Sequence, residues 1–477
     1  MSAEKGLSSK KRASALCAGV IAVIILLIAV FGVWTAFFKR DIPNFDSGDS
    51  QVFLSGENSP VAAFTADGGE FRTVCKDGVY DAYLGIAARE AAEVLQKKHR
   101  KMTAEDARSA VYSGGLSIYI NMDAGAQSLL TAALESASSG NAMKTAVLTG
   151  IDGRLLAVQT FGTDAESRHL IGSCMKPLGV YSPAIEQRAV NWSSVIEDAP
   201  YTQIRSSSGE MVAWPANFSG AYKGSTVSVA DAVCESINTV AVRVLDRLGT
   251  EKSADFLEKK LGIDISAERG SMNYDAGNVM GAFALGYIRS GISVPEMTEY
   301  YQMFATGGRT TKVYCVAEIR DSDGGVIYTA APAASNPISG ETADIMNRLL
   351  CRVVSQDGTG KKAMVPGVNA GGKTGTTGGF VDNWFAGFTS QYVCAVWYGY
   401  RQEQAERSEN LCLPVFREVM TGMYIGKTDT PYPRSSNVES REYCEYTGKL
   451  ASAGCAVRRT GYYDIRHLPG ECDSHGS

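Results

Sequence analysis

An excess of charge of one sign is missing from this 477-residue sequence. Lys and Arg number 46 against 51 Asp and Glu, a net charge of −5. No long basic run occurs beyond the extreme N-terminus, so the sequence lacks the basic face that a nucleic-acid binder needs. Cysteine is sparse, 11 residues in all, which excludes a disulfide scaffold. Histidine is sparser still: His99, His169, His467 and His475 show no paired spacing for zinc. Internal repeats are absent, which excludes solenoids and propellers. The 50 glycines come without a collagen period or low-complexity tracts, and read as turns and close-packed strands. What is present is a hydrophobic content of 45% with 20% charged residues, enough for a large core and incompatible with wholesale disorder. At about 150 residues per domain, the length suggests roughly three units.

One long apolar run stands out. Ala13 to Phe38 carries no charge; as a helix it would be about 39 Å long, more than the ~30 Å hydrocarbon core of a bilayer. No small-residue cleavage site follows, so the run reads as an uncleaved signal-anchor. Lys5, Lys10, Lys11 and Arg12 precede it, while Lys39 and Arg40 are followed by Asp41, Asp46 and Asp49. The positive excess on the N-terminal side predicts a cytosolic tail over 1–12, a membrane span over 13–38 and an extracytoplasmic remainder.

Beyond the anchor, residues 41–80 are polar and glycine-rich, a stalk or small extracellular element. Tyr80, Leu84, Ala87, Ala91 and Leu95 recur at helical spacing within 80–112, and Thr103 with Asp106 forms a capping-box signal. Residues 116–120 alternate like a strand. Residues 145–158 read as a hairpin about Asp152 and Gly153. Strand-like runs follow at 370–377, 384–390 and 391–400, with a helix over about 411–425. Pro431 and Pro433 mark the start of a polar C-terminal tail. Strands at both ends with helices between predict an α+β domain, its one sheet closed by N- and C-terminal parts. The expected boundaries are a stalk and linker over 39–115, a main domain over 116–427 and a tail over 428–477.

Three short motifs stand in order: Ser173 to Lys176 as S-x-x-K, Ser236 to Asn238 as S-x-N, and Lys373, Thr374 and Gly375 as K-T-G. Together they are the signature of active-serine penicillin-recognising enzymes. Singly they say little. S-x-x-K recurs at Ser2 and Ser8, and S-x-N recurs at Ser139, Ser271, Ser408 and Ser435. A serine hydroxyl needs a base to become a nucleophile. Positions i and i+3 of a helix share a face, which brings Lys176 alongside Ser173, and a neighbouring positive charge favours the neutral amine. Pro177 is tolerated only in a first helical turn, so Ser173 belongs at a helix N-terminus, where backbone N–H groups favour developing negative charge. The second motif interrupts an apolar stripe of Val229, Ala232, Val233, Ile237, Val240 and Val244 at helical spacing, which suits cleft-lining groups better than core. The third overlaps a decoy. Gly367 to Thr374 matches the phosphate-binding pattern G-x-x-x-x-G-K-[ST], but no adequate strand precedes it and no helix can start after it. A Gly- and Thr-rich edge strand, able to pair with a substrate backbone, is the expected form.

The chain resembles the penicillin-binding transpeptidases, and among them the class A type. Beyond the three motifs, the resemblance extends to Ile171–Ile185, to Trp214–Phe218 with Gly224 and Ala232, to Gly281–Gly286, to Phe304–Gly308 and to Asp382–Thr389. Tyr80–Gln127 is similar to the linker that joins glycosyltransferase and transpeptidase in class A proteins. The resemblance implies an antiparallel sheet flanked by helices, with a helical subdomain, here preceded by one transmembrane helix. It implies that Ser173 attacks the penultimate D-Ala carbonyl of a stem peptide and that Lys176 takes the proton. Ser236, helped by Asn238, would pass a proton to the leaving amine, while Lys373, Thr374 and Thr376 hold the terminal carboxylate beside Gly375. β-Lactams would acylate the same serine, without metal or cofactor. Some 40 residues between anchor and linker are too few for a glycosyltransferase domain, so a separate glycosyltransferase is the expected partner. The alternatives are a D,D-carboxypeptidase, a β-lactamase and a non-catalytic β-lactam sensor or cell-wall scaffold. A clean Glu-x-x-x-Asn between Ser236 and Lys373 is absent, against a class A β-lactamase. In the tail, Cys444, Cys455 and Cys472, with His475 three residues on, leave both a disulfide and a metal site open. Cys174, between Ser173 and Lys176, is expected to be a small packed side chain.

Overall fold

The computed structural model of the chain describes residues 48–475 apart from 68–69, 76–77, 138–139, 207, 272–275 and 403–409. The expected anchor, Ala13–Phe38, and the tail before it lie outside the described residues, among which no helix is long and apolar enough to cross a membrane.

The centre is a five-stranded sheet of β1 (Met143–Gly150), β2 (Leu155–Phe161), β3 (Gly371–Thr376), β4 (Asp382–Phe388) and β5 (Tyr392–Gly399). Its order is β3-β4-β5-β1-β2, every pair antiparallel. Two strands from the N-terminal side thus close on three from the C-terminal side, as the distribution of strand signals predicts. The β1–β2 turn is the one expected at Asp152 and Gly153, with the Gly153 amide donating to Gly150 O at 3.1 Å. Every residue of β4 is buried because helices cover both faces. Phe385 points to the face held by the helices Ala124–Ser136 and Cys412–Met423. Trp384 and Phe388 face the larger cluster that includes Tyr301 and Phe304 of the helix Val294–Ala305. The edge-to-face contact of Phe385 with Phe416, centroids 4.9 Å apart, adds about 0.5–1.5 kcal/mol beyond its buried area.

The 80–112 periodicity resolves into two helices, Asp81–Lys98 and Ala104–Ser113, and Thr103 and Asp106 form the reciprocal capping box. The first helix is tied to the central sheet by Tyr83, whose hydroxyl donates to Leu155 O at 2.6 Å. The polar 41–79 stretch carries more structure than its composition suggests. Strands Ser50–Leu54, Pro60–Asp67 and Glu70–Cys75 join a second, six-stranded sheet with Ser117–Ile120, Val316–Arg320 and Val326–Thr329. Ser50–Leu54 and Ser117–Ile120 pair in parallel at its centre. The tail is not featureless either: Val438–Cys444 and Arg458–Asp464 pair as an antiparallel hairpin.

Candidate active site

The nucleophile segment starts with an unusual backbone. Gly172 has φ +52°, and a Cβ there would lie 2.6 Å from Thr376 O and 2.8 Å from Thr376 N. Gly286 approaches from the other side, where a Cβ would overlap the Gly172 backbone. Glycine is therefore required at both positions, and the close approach sets the end of edge strand β3 against the turn carrying Ser173. Gly172–Cys174 is a tight 3-10 turn that passes into a wide π-helical stretch, Lys176–Tyr181, with Pro177 in its first turn. Ser173 stands at the N-terminal start of the helical segment, as Pro177 predicts. Cys174 points away into the core, its thiol donating to Lys373 O at 3.3 Å.

The apolar stripe over 229–248 is not one helix. It breaks into Val229–Glu235 and Asn238–Leu248, and Ser236 caps the first in the left-handed region at φ 61°, ψ 38°. A non-glycine residue there costs on the order of 1–2 kcal/mol, and the conformation turns both Ser236 and Asn238 into the cleft. Asn217 fixes the turn: its Oδ1 accepts from Asn238 N at 3.0 Å, and its Nδ2 donates to Asp198 Oδ1 at 2.7 Å. Asp198 also accepts from the Thr239 hydroxyl at 2.6 Å.

The three motifs converge through two buried lysines. Lys176 Nζ lies 2.6 Å from Ser236 O, 2.6 Å from Asn238 Oδ1 and 3.2 Å from Ser236 Oγ. Lys373 Nζ donates to Ser236 Oγ at 2.7 Å and to Thr374 O at 3.1 Å. Both lysines are fully buried. Burial, and then the repulsion of Lys373, push the Lys176 amine well below the ordinary lysine range. Burial lowers Lys373 to about 8. The stronger depression of Lys176 favours a neutral Lys176 beside a charged Lys373. Lys373 Nζ is placed to donate to Ser236 Oγ, and Lys176 Nζ to Ser236 O, Asn238 Oδ1 and Ser236 Oγ. When Lys176 is neutral, the longest of its three contacts, at 3.2 Å, is the one the Ser236 hydroxyl can reverse by donating to the lone pair. In one respect the geometry differs from the helical-spacing expectation. The Lys176 amine turns to Ser236 and Asn238, and Ser173 Oγ has no hydrogen-bond partner among the described residues. Catalytic hydrogen bonds commonly tighten only when substrate is bound.

Ser173, Ser236, Asn238, Thr374 and Thr376 line one cleft of 360 Å³, with Gly375 buried behind it. The K-T-G segment runs as an edge strand paired only with β4 in its sheet. This is the form expected over the phosphate-loop decoy. Sequence reasoning missed the cleft's outer wall. Phe218, Tyr287 and Phe380 lie there, as do Thr359, within 3.3 Å of the Thr374 hydroxyl, and Asn383 and Asn410. Phe218 and Phe380 meet edge to face. Asn383 stands on β4 and the others come from loops and turns with no common spacing, so only the fold assembles them.

The penicillin binding protein transpeptidase domain model matches residues 137–421. The chain belongs to that family. Penicillin-binding protein 1A of Clostridium acetobutylicum is 28% identical over 330 residues, 64% of this chain and 40% of that protein. Penicillin-binding protein 4 of Bacillus subtilis is 32% identical over 228 residues, 48% of this chain and 34% of that protein. The chain thus spans two-fifths or less of the length of these two relatives. Among solved structures, penicillin-binding protein 1A from Haemophilus influenzae superposes with a TM-score of 0.64 at 16% identity, covering 79% of this chain and 76% of that one. The D,D-transpeptidase domain of a peptidoglycan glycosyltransferase from Eggerthella lenta gives 0.58 at 18% identity, covering 80% and 99%. At such identities the likeness establishes the fold, and it is the α+β fold of the penicillin-binding transpeptidase domain.

Proposed function

We propose that the chain is a membrane-anchored D,D-transpeptidase that cross-links peptidoglycan stem peptides and is acylated by β-lactams. The observation that carries this reading is the meeting of Ser173, Ser236 and Asn238 on one cleft beside an edge strand, with the buried Lys176 and Lys373 bonded to Ser236 and Asn238 behind it. Ser173 Oγ attacks the carbonyl of the penultimate D-Ala, and Lys176 takes its proton. The C–N bond to the terminal D-Ala breaks, and Ser236, oriented with Asn238, returns a proton to the departing amine. An amine of a neighbouring strand then attacks the ester and frees Ser173. Lys373, Thr374 and Thr376 hold the terminal carboxylate. The backbone N–H groups of Ser173 and Thr376 form the oxyanion hole, supported by the contact of Gly172 with Thr376; one such donor is typically worth about 3 kcal/mol. The chemistry calls on no cofactor. The Ala13–Phe38 anchor holds the domain outside the membrane, and a separate glycosyltransferase supplies the glycan strands.

The purified chain, given a stem peptide ending in D-Ala-D-Ala and an amine acceptor, is expected to release D-Ala and form the acceptor-linked peptide. Hydrolysed peptide alone would make it a carboxypeptidase. Slow β-lactam acylation with no turnover of peptide would make it a sensor or scaffold.

A pH profile tests the lysine roles. Acylation needs Lys176 neutral, so the rate rises as pH climbs through its depressed value. It needs Lys373 charged, so the rate falls as pH passes about 8. Acylation efficiency by a β-lactam is therefore expected to be bell-shaped, with the alkaline limb removed in Lys373→Arg because guanidinium stays charged. A rate still rising at the ordinary lysine value of about 10.4 would contradict the assignment.

A further inference from the structure

The C-terminal lobe has almost no core of its own. Its separate apolar cluster consists of Cys444, Cys455 and Cys472, with Ala451 packed against them. Small lobes of this kind hold together by cross-links or metals rather than by apolar burial. Three separate segments bring the cysteines together. Cys444 ends the strand Val438–Cys444, Cys455 precedes the strand Arg458–Asp464, and Cys472 follows it. Backbone hydrogen bonds draw these segments into one knot: Cys444 N to Lys449 O, Leu450 N to Gly470 O and Cys472 N to Leu450 O, at 2.8–2.9 Å.

His475 completes the group. Its Nδ1 lies 3.6 Å from Cys444 Sγ, 3.7 Å from Cys455 Sγ and 3.2 Å from Cys472 Sγ. All four donor atoms fall within 4.8 Å of one another. A tetrahedral zinc ion with Zn–S near 2.3 Å and Zn–N near 2.05 Å requires an N···S separation of about 3.6 Å, and the three observed values bracket it. A disulfide would account for two of the three sulfurs, leaving both the third and the imidazole nitrogen that faces all of them unexplained. Two further groups point at the sulfurs: Ser452 N donates to Cys455 Sγ and the Thr447 hydroxyl to Cys472 Sγ, each at 3.4 Å. Such donors stabilise and orient metal-bound thiolates.

We propose that Cys444, Cys455, Cys472 and His475 form a structural zinc site that folds the C-terminal lobe. Four protein donors close the coordination sphere, which is the pattern of a structural rather than a catalytic zinc. The ion takes the place of the missing core. It also holds a lobe that grips the main domain near the second motif. Arg459 pairs with Asp231 at 2.6 and 2.9 Å on the helix that leads into Ser236, and Gly448 O accepts from the Ser193 hydroxyl at 2.6 Å.

The test uses the whole chain, purified in detergent without chelator, with zinc measured by elemental analysis after gel filtration. One zinc per chain is expected, with Cys444, Cys455 and Cys472 alkylated only after chelation. Replacement by Co2+ should give the intense visible d–d bands of a tetrahedral thiolate site. Cys472→Ser and His475→Ala should each weaken zinc binding by more than about tenfold, since even outer partners of a metal ligand are worth 10–100-fold. His475 is only partly buried near the chain end, so His475→Ala keeps the test open if the cysteine variant misfolds. A metal-free chain that stays so after incubation with zinc would overturn the proposal. So would a disulfide between any two of the three cysteines in non-reducing peptide maps, or unchanged zinc affinity in His475→Ala. None of these readouts depends on β-lactam acylation.

Discussion

Replacing Lys176 by alanine is expected to slow acylation at saturating β-lactam by at least about a hundredfold, because general-base catalysis typically contributes 10²–10⁴-fold. Two effects could mimic this. Lys176 is fully buried, so truncation leaves a cavity and strips Ser236 O and Asn238 Oδ1 of their donor, each orphaned group costing about 1–3 kcal/mol. Thermal melts should separate lost stability from lost rate, and Lys176→Met, which keeps most of the volume, should be as slow as the alanine variant. Lys373→Arg provides the contrast. It keeps the positive charge, so it should lower acylation efficiency without abolishing it; the larger planar guanidinium accounts for some loss of rate. Stopped-flow acylation measured against β-lactam concentration reads both variants. Lys176→Ala within a few-fold of wild type alongside an inactive Lys373→Arg would reverse the assigned roles.

The parts of the molecule legible in the sequence are those where local pattern and tertiary burial agree. β3, β4 and β5 are readable because helices cover both faces of their sheet and leave near-continuous runs such as the one around Trp384 and Phe388. The β1–β2 turn and the Thr103 capping box are local chemistry with fixed spacing. The motif residues were found by order and type, and the fold brings all three motifs to one cleft. What was not legible depends on contacts distant in sequence. The break at Ser236 is hidden because the apolar stripe continues on both sides of it, and its left-handed backbone is held by Asn217 and Lys176 from elsewhere. The 50–75 strands are hidden because most of their residues, apolar ones included, are half-exposed or exposed, with only a few, such as Val52 and Phe64, reaching the core. Phe218, Tyr287 and Phe380 come from three separate loops. The tail cysteines lie 11 and 17 residues apart along the chain, and hydrogen bonds between segments, not spacing, bring them together around His475.

The central claim is that Ser173 is the nucleophile, and intact-mass analysis after exposure to a β-lactam tests it most directly. The nearest rival nucleophile is Cys174. Its side chain is buried and donates to Lys373 O, and burial pushes its thiol up to about 12 despite the neighbouring lysine. It therefore offers almost no thiolate at neutral pH. Ser173 lines the open cleft at the start of a helical segment, next to Gly172, which packs against the Thr376 backbone. The wild-type chain is expected to gain the mass of one β-lactam, with peptide mapping placing the adduct on Ser173. Ser173→Ala, with an unchanged melting profile, should gain nothing. An adduct of the same mass on folded Ser173→Ala, or one mapped to Cys174 in the wild type, would contradict the account.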